Sequence, residues 1–173
     1  MDLSQATKLI KHPDISSTIK TLWADLGCGD GLFTKALSQL LLPQSIIYAV
    51  DKNTSALNRV SVKHGIQLEK FAMDFVNDTL PINELSGILM ANAFHFVKDK
   101  HAFIKKTFDC LNSNGYFIIV EYDRTIANPW VPYPVSFKNL QKFFDEYNYT
   151  AEKLHEIPSR YNGTIYSAQI NRH

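Results

Sequence analysis

Three glycines at alternate positions, Gly27, Gly29 and Gly31, separate an apolar run, Thr21-Leu22-Trp23-Ala24, from a stretch whose apolar residues recur at helical spacing. Leu32, Phe33, Ala36, Leu37, Leu40 and Leu41 carry that spacing, and Pro43 ends it. The segment therefore reads as a strand, a glycine loop and a helix. Glycine lets the main chain turn sharply and removes the β-carbons that would hold a ligand off the backbone. The helix points unpaired N–H groups and the positive end of its dipole at the loop, which favours a carboxylate, a ribose or a phosphate there.

The rest of the chain extends that unit. Gln5 to Lys20 carries apolar residues for one or two short helices, broken at His12-Pro13-Asp14. Ser45 to Val50 is apolar without alternation, as in a strand covered on both faces, and closes on Asp51. Asn53 or Thr54 caps a helix bearing Ala56, Leu57 and Val60, and Ile66 to Met73 is a third strand ending at Asp74. A fourth strand, Gly87 to Ala91, precedes a helix with Phe103, Ile104, Phe108 and Leu111. Asn112-Ser113-Asn114-Gly115 then turns the chain into a fifth strand, Tyr116 to Val120. Five strands with crossover helices imply a parallel sheet. Phe137, Leu140, Phe143, Phe144 and Tyr147 mark one more helix, and two extended runs flank Asn162-Gly163, a pair that favours a tight hairpin. The expected fold is α/β, a doubly wound, mostly parallel seven-stranded Rossmann-like sheet with a C-terminal antiparallel hairpin.

Composition bounds what such a sheet can serve. The 173 residues fit one domain, 1–173, and a formal net charge of +1 gives no reason to expect nucleic acid or an anionic membrane as partner. Two cysteines, Cys28 and Cys110, make a disulfide framework an unsuitable reading and point to a reducing compartment. The amino terminus lacks the layout of a signal peptide and no apolar run is long enough to span a bilayer, so the expected location is cytoplasmic.

The loop spacing narrows the ligand. A dinucleotide loop, G-x-G-x-x-G/A, would place its third small residue at position 32, which is Leu32. The pattern from Asp25 to Gly31 is instead D-x-G-x-G-x-G, which resembles the first motif of the class I S-adenosylmethionine-dependent methyltransferases. The resemblance runs from Thr21 to Ile170 and implies S-adenosylmethionine as cofactor, with the last strand inserted between the fifth and sixth. It places Asp25, Gly27, Cys28, Gly29 and Gly31 at the cofactor. Asp51 would accept both ribose hydroxyls, Asp74 the adenine amino hydrogen, and the Phe75 N–H would meet the ring. Lys52 stands where the family often has an apolar residue beneath the adenine, and its alkyl stem can pack there with the ammonium in water.

The segment Asn92-Ala93-Phe94-His95-Phe96 resembles that of small-molecule methyltransferases and lacks the Pro-Pro-aromatic of enzymes that act on DNA bases or glutamine amides. Asn92 joins the cofactor set. His95 is the candidate base, since imidazole titrates near neutral pH, with Tyr122 as a second catalytic candidate that orients the acceptor. Trp130 and Tyr133, in the proline-stiffened Asn128 to Pro134, are expected to border the transferable methyl and to stack on a flat or cationic small-molecule acceptor. With only about twenty residues before the first strand and about a dozen, Asp123 to Pro134, between the fifth strand and the next helix, a second copy in a homodimer or a bulky acceptor is expected to finish an open cleft. Two functions stay open: a methyltransferase, and a non-catalytic S-adenosylmethionine-binding regulatory or scaffold subunit. An aminopropyl-transferring relative would need carboxylates that the Asn92 segment lacks.

Other features read as structure. Lys98, Lys100, Lys105 and Lys106 are interrupted by Asp99 and Asp109 and form a solvated face. The aromatic stripe from Phe137 to Tyr147 and Trp23 belong to the core, and the Cys28 thiol packs, small residues being needed in the loop. No metal spacing is present.

Overall fold

The computed structural model describes residues 1–15, 19–161 and 163–172. In chain order the elements are α1 (Leu3–Ile10), β1 (Leu22–Leu26), α2 (Leu32–Leu40), β2 (Ile46–Val50), α3 (Thr54–Arg59), β3 (Gln67–Phe71), β4 (Leu85–Ala91), α4 (Lys100–Phe108), β5 (Leu111–Tyr122), α5 (Phe137–Asp145), β6 (Tyr149–Pro158) and β7 (Thr164–Arg172), with single 3-10 turns at Pro13–Ile15 and Phe94–Phe96. One sheet runs β3-β2-β1-β4-β5-β7-β6. Its first five strands are parallel, and β7 runs antiparallel to both β5 and β6. The chain moves outward from β1 to β3 and then returns to lay β4 against β1. That reversal opens a crevice beyond the carboxyl ends of β1 and β4, the usual place for a ligand in such sheets.

Successive residues of a strand face opposite sides, and both sides here are apolar. Ala24, Leu26, Ile88, Met90, Phe117 and Ile119 join one cluster with Phe103 of α4 and Phe144 of α5. Trp23, Leu89, Ile118 and Val120 join the other with Leu9 of α1 and Leu37 of α2. Coverage on both faces explains strands without alternation. Trp23, 1% exposed, packs against β4 at Gly87, where a β-carbon would stand 2.4 Å from its ring.

Helix ends follow local chemistry. Asp2 and Gln5 form a reciprocal capping box on α1, and the Asn53 side chain accepts the Ala56 N–H at 3.1 Å to start α3. The strand expected at Tyr116 begins five residues earlier. Helix α4 ends at Phe108, and Leu111 already pairs with Leu85 before the register jumps to Gly87 and Tyr116. The Asn112 to Gly115 turn is thus absorbed as an irregularity within β5. A β-carbon on Gly115 would meet the Leu85 carbonyl at 2.6 Å, so glycine permits the approach. The tight turn expected at Asn162-Gly163 falls on Asn162, which lies outside the described residues. The pairing it serves is present, with the Ser159 N–H donating to the Gly163 carbonyl at 2.9 Å.

Candidate active site

The glycine loop is drawn onto the end of β2 by two bonds to one carbonyl. The Gly27 and Cys28 N–H groups donate to Val50 O at 2.8 and 3.2 Å. Gly27 sits at φ +77, and a β-carbon there would stand 2.7 Å from Ala93 Cβ and 3.0 Å from the Phe75 ring. Only glycine lets the loop lie between those neighbours. Beside it opens a cleft of about 360 Å³ lined by Gly27, Asp51, Lys52, Asp74, Phe75 and Asn92, among others. Residues from the ends of β1, β2, β3 and β4 therefore meet in one place.

The Asp51 carboxylate clasps both flanks of this cleft. Its Oδ2 accepts the Gly29 N–H and its Oδ1 accepts the Asn53 N–H, each at 2.8 Å. A carboxylate oxygen carries two lone pairs, so both oxygens can still accept a hydroxyl. Asp74 is busier. It accepts the Val76 N–H at 3.0 Å and the Asn77 amide at 3.1 Å, and Lys52 Nζ stands 3.5 Å from it. Partial burial alone would raise its pKa, but the bonds from Val76 and Asn77 and the Lys52 charge outweigh it and hold the carboxyl below the usual range. The Lys52 ammonium is in water, so that ion pair contributes little energy. Phe75 is buried against Phe103, and among the described residues none accepts from its N–H. Asn92, at φ +52, leaves its buried Oδ1 without a partner. An orphaned acceptor on a cleft wall is a costly feature unless a ligand completes it.

Two residues expected at the cofactor face the other way. Asp25 is 1% exposed and accepts the Thr34 hydroxyl at 2.6 Å beneath the loop. Burial pushes its pKa up to about 7, against the Thr34 bond, with Asp51 adding to the rise. Cys28 packs with Ala49, Leu57 and Val60, and burial raises its thiol pKa well above ordinary values. Asp25 shares the face of β1 that carries Trp23, the face covered by α2, and the left-handed turn at Gly27 then breaks the alternation, so that Gly27 borders the cleft while Cys28 packs beneath the loop. Gly29 reaches the cleft through its bond to Asp51, and Gly31 packs on Val60 as the left-handed residue before α2.

A second, larger cavity of about 1030 Å³ adjoins the first, and Asn92 and Phe96 line both. His95, Tyr122, Trp130 and Tyr161 stand on its wall. His95 is 3% exposed and is held by a residue that sequence reasoning missed. The Glu121 carboxylate, 1% exposed, accepts the His95 backbone N–H at 3.0 Å and pairs with Nδ1 at 2.8 Å. An ionised carboxylate only accepts, so Nδ1 carries the proton and Nε2 is the nitrogen left to the cavity. The signal for Glu121 was a lone acid at the end of the apolar run Ile118-Ile119-Val120. Burial raises the pKa of the Tyr122 phenol, aided by Tyr161 and Glu121.

The structure separates the pair expected at the acceptor. Trp130 lines the larger cavity and is 81% exposed, whereas Tyr133 is outside its lining. Tyr133 is spent on the loop itself, with its N–H donating to His95 O at 3.0 Å and its carbonyl accepting Lys100 Nζ at 3.0 Å. The lysine cluster is likewise divided. Lys100 also donates to Val97 O at 2.8 Å, and burial pushes its pKa down to about 8 despite the Glu121 charge. Lys106 donates to Val76 O and Asp78 O at 2.7 and 2.8 Å. These two fasten the loops around the cleft, while Lys98 faces solvent.

A family model described as a methyltransferase domain matches residues 24–119, more than half of the chain. The chain belongs to that family. The class I methyltransferase resemblance of the glycine loop thus holds for the matched region, and S-adenosylmethionine is the cofactor of that class. Solved structures agree in fold. A Leishmania major S-adenosylmethionine-dependent methyltransferase superposes with a TM-score of 0.74 at 17% identity, over 97% of this chain and 70% of its own. The magnesium protoporphyrin IX methyltransferase of Synechocystis, with bound S-adenosylmethionine, gives 0.71 at 13% identity over 98% and 77%. An Aquifex aeolicus methyltransferase gives 0.62 at 16% identity over 98% of each chain. No curated protein matches the sequence. Among the described residues no helix is long and apolar enough to cross a membrane, and no group of three side chains could hold a metal ion.

Proposed function

We propose that residues 1–173 work as one cytoplasmic domain that transfers a methyl group from S-adenosylmethionine to a small-molecule acceptor, with the smaller cavity for the cofactor and the larger for the acceptor. The observation that carries this reading is the shared wall. Asn92 and Phe96 line both cavities, so two ligands would meet at the end of β4. The smaller cleft suits the cofactor: a carboxylate with free lone pairs at Asp51, an unused N–H at Phe75 and an unpartnered acceptor at Asn92. Asp51 takes the ribose hydroxyls, Asp74 and Phe75 the adenine, the Lys52 stem covers the ring, and the glycine loop receives the amino-acid arm.

When bound, the cofactor supplies an electrophilic methyl on a positively charged sulfur. The chain then has to align an acceptor and remove its proton. Alignment alone is worth many orders of magnitude. His95 serves as base through Nε2, Tyr122 orients the acceptor, and Trp130 covers it. Calorimetry tests the cofactor reading: S-adenosylmethionine and S-adenosylhomocysteine are expected to bind and NAD is not. Binding of NAD alone would sink it. A non-catalytic binding subunit would need no base, and the buried His95–Glu121 pair beside the acceptor cavity favours the enzyme.

A further inference from the structure

We infer that the acceptor is a planar aromatic compound methylated on a phenolic oxygen, with Glu121 as the positioning residue that keeps His95 Nε2 ready to take the phenol proton. The inference rests on the two-cavity methyltransferase reading and deepens it.

Glu121 and His95 carry the first half of the argument. A carboxylate buried to 1% exposure is costly, and among the described residues this one is hydrogen-bonded by the two N–H groups of His95, with the Lys100 charge nearby. The arrangement fixes both the ring's position and its tautomer, leaving Nε2 as an acceptor beside the cavity. Different methyl acceptors need different help. A neutral amine already offers a lone pair, and a carboxylate is ionised at neutral pH. A phenol ordinarily ionises near pH 10 and is a weak nucleophile until its proton leaves. A pre-aligned base therefore matters most for the hydroxyl.

The cavity wall carries the second half. Phe96, Trp130 and Tyr161 are 51%, 81% and 79% exposed, and all three line the same space as Tyr122. Large rings left to water on one rim mark a surface meant to be covered, and flat aromatic ligands cover rings best. At about 1030 Å³ the cavity is at the upper end of small-molecule sites, typically about 300–1,000 Å³, and has room for fused rings.

The step balances within these groups. The phenol proton passes to His95 Nε2, the oxygen lone pair forms the new O–CH3 bond, and the S–CH3 bond breaks with its electron pair going to sulfur. The products are an aryl methyl ether and S-adenosylhomocysteine. The Glu121 carboxylate, 2.8 Å from Nδ1, stabilises the imidazolium until the proton leaves to solvent.

The test uses the full chain with 2-naphthol, 2-naphthylamine and 2-naphthoic acid as probes. With S-adenosylmethionine, 2-naphthol is expected to be methylated at least about tenfold faster than the amine or the acid, as base assistance predicts. With S-adenosylhomocysteine, 2-naphthol should quench tryptophan fluorescence in the parent protein and not in Trp130→Phe. Glu121→Gln presents an amide N–H to Nδ1 and should move the ring proton to Nε2, a change read directly by nitrogen-15 NMR of labelled histidine. In that variant naphthol turnover should fall by about 10²–10⁴, with KM and S-adenosylhomocysteine affinity within about twofold of the parent. His95→Phe, which keeps an aromatic ring in that packing, should show the same loss and guards against a folding defect in Glu121→Gln. Preference for the amine or the acid overturns the proposal. So does a protein that binds S-adenosylhomocysteine yet neither quenches with naphthol nor methylates it, or a Glu121→Gln whose histidine spectrum and turnover are unchanged. Failure to bind S-adenosylhomocysteine overturns the methyltransferase reading itself, and this proposal with it.

Discussion

Asp51 has three tasks at once: it holds the Gly29 N–H, starts the turn at Asn53 and, in our reading, receives the ribose. Asp51→Ala should therefore weaken S-adenosylhomocysteine binding by about 1.5–3 kcal/mol, the usual worth of hydrogen bonds to a charged group, as calorimetry would measure. Asp25 and His12 govern stability instead. The unfolded chain releases the Asp25 proton near pH 3.8 and the folded chain holds it to about 7, so the stability it adds is complete below 3.8 and is lost as pH rises toward 7. His12 is the converse case. Burial drops its pKa from 6.5 to about 4, outweighing the pull of Asp14, so its contribution is complete above 6.5 and is lost as pH falls toward 4. Asp25→Asn keeps an acceptor for Thr34 and removes only the first effect. Its urea stability relative to the parent should climb from pH 4 to 7, and a flat difference would show that Asp25 is ionised in the fold.

The pairing of β1 with β4 depends on a missing side chain. A β-carbon on Gly87 would meet three atoms of the Trp23 ring at 2.4 to 2.7 Å, and Trp23 has no room to withdraw at 1% exposure. Gly87→Ala should cost about 1–3 kcal/mol by overpacking, and a chain of this length should lose about 2–4 °C of Tm for each kcal/mol. Thermal unfolding followed by circular dichroism checks this. Helix α4 acts at a distance on the smaller cleft, the cofactor's in our reading, because Lys106 donates to two carbonyls of the segment after Asp74. Lys106→Met keeps the stem and removes both bonds. It should cost about 0.5–1.5 kcal/mol per bond in the stability of that segment, seen as faster amide exchange at Asn77 and Asp78 and weaker S-adenosylhomocysteine binding.

Across the sheet, burial rises from the edges to the centre. The β3 edge exposes Gln67, Glu69 and Lys70, and β6 at the other edge is largely half-buried or exposed, whereas β4 and β7 are mostly buried and β5 is buried from Phe117 to Glu121. Native-state hydrogen exchange should therefore find the slowest amides in β4, β5 and β7 and the fastest strand amides in β3. Slow exchange in β3 would mean that a partner covers that edge. Much of this architecture was written locally. Apolar strands without alternation, helical spacing after the glycines and the cap at Asn53 each constrain neighbouring backbone, so a single sequence displays them. The family was legible for the same reason, since the D-x-G-x-G-x-G loop is one short segment whose geometry is self-contained. The site's finer chemistry was not. Glu121 meets His95 only because β5 lies beside β4, and twenty-six positions of chain hide that contact. Asp25 and Cys28 turn inward because packing fixes which way a side chain on a known loop points, and the Tyr133 backbone is held by His95 and Lys100. Residue types and spacings can name candidates, while strand order and the competition for buried hydrogen bonds determine which of them face a ligand.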